Sequence, residues 1–224
     1  YNLALRVVDD PDALGDNPTN AIIWNKERAS NRVLMPEDLP EWGNKVESLS
    51  PLRRSMHKLG ILSGLRPGTL VSLRREWIDL EKHVIHIPRM KSGRSFALPL
   101  SPQMEELVQD ALRVGDSLYS GAPWLFPTRL RKGDQGLSHV QVWHEKNLPS
   151  QTGHILRHTY RTIAKRVGVD QIDARLLLDH TVPGIDGVYI HSRALFDRLL
   201  ATQATMSREI EALCAATREQ QAAA

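Results

Sequence analysis

Only one stretch of this 224-residue chain carries a β-strand pattern, and it is short. In residues 83–100, Ile85 and Ile87 and then Phe96, Leu98 and Leu100 alternate with other residues at the two-residue period of a pleated strand. Lys91-Ser92-Gly93-Arg94 between them reads as a hairpin turn, which puts Lys91 on or beside a β-turn. The other ordered segments from Pro36 onward carry helix signals. The pattern predicts a mainly α fold with one small antiparallel β-sheet, in the α+β class.

Helix boundaries are marked by proline and glycine. Ser50-Pro51 is an N-cap followed by proline at the first helical position, leading through Leu52, Met56 and Leu59 to an end near Gly64. Arg66 sits just before Pro67-Gly68, at a break between helices. Ser101-Pro102 starts another helix, whose Met104, Leu107, Val108, Ala111 and Leu112 form one apolar stripe, read as core. Residues 114–137 are loop-rich, and Ser138 is expected to cap a helix running to about Leu148. Three more helices are predicted at about 152–167, 170–178 and 192–218, the last two separated by a loop with Pro183, Gly184 and Gly187. Residues 1–34 are polar and irregular. They are expected to be a linker or the remnant of an absent preceding domain, which fits a chain opening on Tyr1 rather than Met. The expected organisation is therefore 1–34 as linker, 35–200 as the main domain and 201–224 as a C-terminal helix and fraying tail.

A hydrophobic content of 41% supports a real core without a metal or disulfide staple. The single cysteine, Cys214, forbids an internal disulfide and suggests a reducing compartment. No apolar run approaches the ~20 residues that span a bilayer, and no signal pattern opens the chain. A soluble cytoplasmic protein, with no membrane partner, is expected. The net charge of +3 is compatible with a polyanionic partner. Basic residues cluster at Arg53, Arg54 and Lys58; Arg74 and Arg75; Arg89, Lys91 and Arg94; Arg129, Arg131 and Lys132; and Arg157, Arg161, Lys165 and Arg166. Solvated helix faces explain about half of such clusters.

His154 and Arg157 are spaced i, i+3, so they share one face near a helix N-terminus, where an anion gains from free N–H groups and from the bidentate arginine fork. An amphipathic helix with a structural histidine accounts for the pair equally well. His154 and His158, at i, i+4, also have the spacing of two zinc ligands. Position 155 is Ile rather than the Glu of a metalloprotease helix, and no third ligand lies nearby.

The run His154-Ile155-Leu156-Arg157-His158-Thr159-Tyr160 resembles the His-x-Leu-Arg-His-Thr signature of tyrosine recombinases, the phage integrase family. Other segments resemble the family's remaining motifs in the same order. Ser63-Gly64-Leu65-Arg66 is similar to the segment carrying its first arginine, and Ile87-Pro88-Arg89-Met90-Lys91 followed by Leu98-Pro99-Leu100-Ser101 to the hairpin carrying its lysine. Leu177-Leu178-Asp179-His180 is similar to its Leu-Gly-His. Tyr189-Ile190-His191, with Tyr189 nine positions after His180, is similar to its Tyr-Thr-His.

The resemblance implies the catalytic-domain fold of that family and site-specific DNA recombination, in integration or excision. Tyr189 would attack a DNA phosphate to form a 3′-phosphotyrosine. Arg66 and Arg157 would clamp the phosphate, His154 would act as base or proton relay, His180 would hydrogen-bond a non-bridging oxygen, and Lys91 would protonate the leaving 5′-oxygen. No metal or other cofactor is implied. The partners implied are double-stranded DNA attachment sites, a homotetramer on that DNA, and DNA-bending accessory proteins. Without an upstream DNA-binding domain, weak and steeply salt-dependent DNA binding is expected. Two departures stand out. Thr69 replaces a common acidic residue three positions after the first arginine, and Asp179 replaces the glycine before His180, adding negative charge near a phosphate site unless it points away. The loop 181–188 carries Pro183, Gly184 and Gly187 where the family has a Ser/Thr-rich run. The alternatives are a non-catalytic DNA-binding regulator of the same fold, a type IB topoisomerase-like enzyme acting alone, and a zinc hydrolase. The C-terminal helix, with Leu195, Leu199, Leu200, Met206, Ile210 and Leu213, can dock on a neighbouring protomer or pack on its own domain.

Overall fold

Pro51 opens helix α2 (Pro51–Ser63), where its missing N–H costs nothing, and Gly64 closes it in the left-handed conformation at φ +59°. The computed structural model describes residues 7, 10, 15–22, 32–91, 93–130, 136–141, 145, 147–148, 153–180 and 193–215. The chain forms two units, 1–31 and 32–224. In the first, Asn17 Oδ1 caps a 3-10 turn (Pro18–Ala21), accepting from Thr19 N at 3.0 Å.

In the second unit α2 is the central element. It packs against α1 (Leu39–Glu47), α4 (Pro102–Leu118), α5 (His154–Arg166) and α7 (Arg193–Ala215). Met56 and Leu59 of α2, Trp42 and Val46 of α1, Met104 and Val108 of α4, and Met206 and Ile210 of α7 meet in one buried core. Burying such side chains supplies roughly 1.5–3 kcal/mol each, the main term opposing chain entropy. The apolar stripe of α7 is thus spent largely on its own domain, with Leu199, Met206, Ile210 and Leu213 all buried.

A buried polar chain runs through this core. Tyr160 Oη donates to Gln203 Oε1 at 3.0 Å, Gln203 Nε2 donates to Leu62 O at 2.7 Å, and Ser101 Oγ donates to Ser207 Oγ at 2.7 Å. It fixes α5, α7, α2 and the start of α4 in one register.

The expected hairpin is present. Strands β2 (Val84–Ile87) and β3 (Phe96–Pro99) pair antiparallel with Ile85 opposite Leu98 and Ile87 opposite Phe96. Their connection is closed by Met90 N donating to Arg94 O (2.7 Å) and Gly93 N donating to Met90 O (2.9 Å), which presents exposed Lys91 at the tip. A two-residue strand, β1 (Ile78–Asp79), adds to the other edge of β2. Two expectations fail between α4 and α5. Helix α4 continues to Leu118, and Ser138 caps no helix: it lies in β5 (Leu137–His139), paired with β4 (Pro127–Arg129). Strands of three residues, one of them beginning at a proline, are too short for a period to register. The short helix α3 (Pro67–Val71) follows α2 and packs on it, and α6 (Gln171–Leu177), between α5 and α7 in the chain, packs on both.

Candidate functional site

Arg157 is the best-anchored member of the predicted set. Leu156, Tyr160 and Ile163 pin the opposite face of α5 in the core, so the first turn of the helix is held rigidly. Arg157 Nη1 donates to Gly64 O at 2.8 Å, and Nη2 donates to Leu178 O at 2.5 Å and to His180 Nε2 at 2.8 Å. These contacts employ three of the five guanidinium N–H groups. A guanidinium has no acceptor, so His180 must offer a lone pair on Nε2, which leaves the proton of the neutral ring on Nδ1.

Burial, and then the neighbouring Arg66 charge, pull Arg157 down to about 10, with Asp179 opposing. It stays charged near neutral pH. Gly64 is required here for two reasons: its φ of +59°, and the absence of room, since a Cβ would meet Leu178 Cδ2 at 2.6 Å and Tyr160 Cγ at 2.9 Å. The motif glycine thus lets the ends of α2 and α6 converge on Arg157.

Arg66 stands at the N-cap of α3, with Nη1 3.4 Å from Asp179 Oδ2. The Asp179 side chain is 6% exposed and its backbone is left-handed at φ +51°. This explains physically why glycine suits the position. The carboxylate does not point away from the basic cluster, as activity was expected to require; it faces Arg66. Among the described residues no hydrogen bond joins Thr69 to Arg66.

His154 and Lys91 complete the described set. The His154 imidazole is held below its usual value, first by burial and then by the positive charges of His158, Arg157, Arg66 and Lys91. The Lys91 tip therefore acts electrostatically on the same place as the two arginines. His180 is also lowered, by burial first and then by Arg157, Arg66 and Arg161, with Asp179 opposing. Both rings are biased toward the neutral form, which leaves His154 able to accept a proton. Tyr189, and the loop 181–188 before it, lie outside the described residues. Among the described residues no group of three or more His, Cys, Asp or Glu side chains could hold a metal ion, and no helix is long and apolar enough to cross a membrane.

Sequence reasoning did not find the groups that hold these side chains. The Gly64 and Leu178 carbonyls leave no side-chain signal. Asp179 was noticed only as a departure; its place at a glycine-like turn was the available clue. The first two basic clusters belong elsewhere: Arg53 pairs with Glu145, Arg54 and Lys58 with Glu47, Arg74 with Glu76 and Arg75 with Asp116.

Comparison with known proteins places the chain in a family. Residues 33–195 match the model of the phage integrase family, and the chain belongs to that family. It is 34% identical over 147 residues to the prophage integrase IntZ of Escherichia coli K12, an alignment covering 63% of this chain and 35% of IntZ. It is 27% identical over 205 residues to the tyrosine recombinase XerD of Vibrio cholerae, covering 82% of this chain and 62% of XerD. The chain thus spans about a third and about three fifths of the lengths of these relatives. Its fold matches the integrase of mycobacterium phage Brujita with a TM-score of 0.57 at 17% identity, over 87% of this chain and 69% of that one. It also matches the XerH site-specific recombinase bound to its difH substrate before cleavage, with a TM-score of 0.52 at 20% identity, over 76% and 55% of the two chains.

Proposed function

We propose that this chain is the catalytic part of a site-specific recombinase that cuts and rejoins double-stranded DNA through a covalent bond to Tyr189. The observation that carries the reading is the state of Arg157: three of its five N–H groups go to two carbonyls and an imidazole, which anchor the guanidinium without cancelling its charge. With Arg66 and Lys91 acting on the same spot, a dianionic, pentavalent phosphate finds fixed positive charge there and needs none from a metal. XerH, whose fold is similar, is bound to difH DNA in its pre-cleavage complex.

In this reading Arg66 and Arg157 hold the non-bridging oxygens. Tyr189 Oη attacks phosphorus while its proton passes to neutral His154, because a phenol with an ordinary pKa of ~10 is a weak nucleophile until a base takes its proton. The bond from phosphorus to the 5′-oxygen breaks, and Lys91 gives that oxygen a proton. His180 donates to a non-bridging oxygen through Nδ1–H. The 3′-phosphotyrosine keeps the phosphodiester bond energy, so a 5′-hydroxyl of another strand reseals it without ATP. Four such sites acting in pairs complete an exchange, so the working assembly is a homotetramer on paired attachment sites, with accessory proteins bending the DNA.

The test is incubation with nicked suicide DNA sites followed by denaturing electrophoresis. A covalent adduct absent in Tyr189→Phe is expected. An adduct that persists in Tyr189→Phe, or none on any attachment site that the full-length protein recombines, overturns the reading.

A further inference from the structure

The turn after α6 holds both arginines at once. Leu178 O and His180 Nε2 take Arg157, and between them Asp179 takes Arg66. The turn is locked by its own backbone: Leu178 N and His180 N donate to Arg175 O at 3.2 and 2.9 Å, and Asp179 N donates to Leu176 O at 3.0 Å. Asp179 is conformationally strained there, as a residue with a Cβ at positive φ. It also carries a carboxylate that is almost fully withdrawn from water, which is tolerated only when paired. Glycine at this position would avoid both costs. Asp179 is, among the described residues, the hydrogen-bonding partner of the Arg66 side chain.

We propose that Asp179 is a positioning residue: its backbone-locked carboxylate aims Arg66 at the site where Arg157 is anchored, and a single turn thereby sets the distance between the two guanidiniums. This rests on the recombinase reading for its consequence, but not for the contact itself. Contact through one Nη1 leaves the rest of the Arg66 fork for a phosphate. Asp179 also adds one negative charge, which weakens attraction for DNA while improving the geometry of the chemical step. Its removal should therefore slow catalysis without weakening binding, which loss of a merely structural residue would not do.

Asp179→Asn keeps the size and tolerates the left-handed backbone, and Asp179→Gly serves if that variant fails to fold. On a suicide site cut by the parent chain, Asp179→Asn should form the adduct ten- to a hundredfold more slowly, the scale of a misplaced catalytic group. DNA affinity should be unchanged or up to tenfold tighter. In the 15N-labelled chain the Arg66 Nε–H resonance should shift or broaden. An adduct rate within twofold of the parent, or a slower rate matched by an equal loss of DNA affinity, overturns the proposal; so does an unmoved Arg66 resonance. If the parent chain forms no adduct, the recombinase reading fails, and the resonance alone decides whether Asp179 holds Arg66.

Discussion

Arg53 and Arg157 are both partly withdrawn from solvent and each makes three contacts through its guanidinium, yet their partners make them different objects. Arg53 on α2 meets the Glu145 carboxylate and donates to Gln141 O at 2.8 Å. Its charge is cancelled where it stands. Arg157 meets carbonyls and a neutral ring. A carbonyl satisfies an N–H but leaves the cation's field in place, and that field helps depress His154 and His180. The lesson is that a basic cluster is read by what its hydrogen bonds neutralise, not by how many it makes. The first region holds its cation neutralised by a carboxylate, and the second holds its cation with the charge retained.

The largest expected effect is at Arg157. Arg157→Ala should slow adduct formation by about 10²- to 10³-fold, the usual loss for one charge-stabilising donor. Arg157→Lys should recover little, because an ammonium cannot span both carbonyls and still face a phosphate. An adduct rate within tenfold of the parent in Arg157→Ala would erase the distinction between the two arginines.

Arg53→Ala should do the reverse. It strands the Glu145 carboxylate, 5% exposed, at a cost of about 3–5 kcal/mol in urea unfolding. Adduct formation per folded molecule should be unchanged. Loss of cleavage with unchanged stability would place Arg53 in the anion site instead.

His57 sharpens the same contrast through pH. Burial first, and then the Arg53 charge, lower it from the ordinary 6.5 to about 4. Glu145 Oε2 is 3.4 Å from His57 Nε2, but its charge is already taken by Arg53, so burial wins. Between pH 6.5 and 4 the unfolded chain binds the extra proton and the folded chain does not. Stability from this group is thus full above 6.5 and lost as pH falls toward 4, by about 3 kcal/mol in all. Comparison of the parent with His57→Gln across that range checks it; parallel pH curves would refute the assignment. At the other site, adduct formation should fall only below pH 6.5, because His154 and His180 are both held under that value.

Much of this was legible in the residues. The α2, α4 and α5 boundaries follow from Ser50-Pro51, Ser101-Pro102 and Gly168, and the ordered motifs brought Arg66, Lys91, His154, Arg157 and His180 to one region. What stayed hidden had no side-chain signature or too short a period. The strands of three residues, β4 and β5, are one case. The carbonyls that hold Arg157 are another. The direction of Asp179 stayed open because a charge in a motif says nothing of where it points, which only the left-handed turn supplies.

The smallest expected effect separates Tyr189, the expected nucleophile, from Tyr160. Tyr160 follows the His154-to-Thr159 signature directly, but it is fully buried, its hydroxyl donates to Gln203, and burial raises its pKa. A phenol so placed cannot reach a DNA strand and resists losing its proton. Tyr160→Phe should cost about 1 kcal/mol by leaving Gln203 Oε1 short of a donor, with cleavage per folded molecule intact. Tyr189→Phe should leave stability unchanged and abolish the adduct. If Tyr160→Phe lost the adduct at full stability, the nucleophile would belong to the helix rather than to the segment after His180, and the charge-retaining turn around Arg157 would need another purpose.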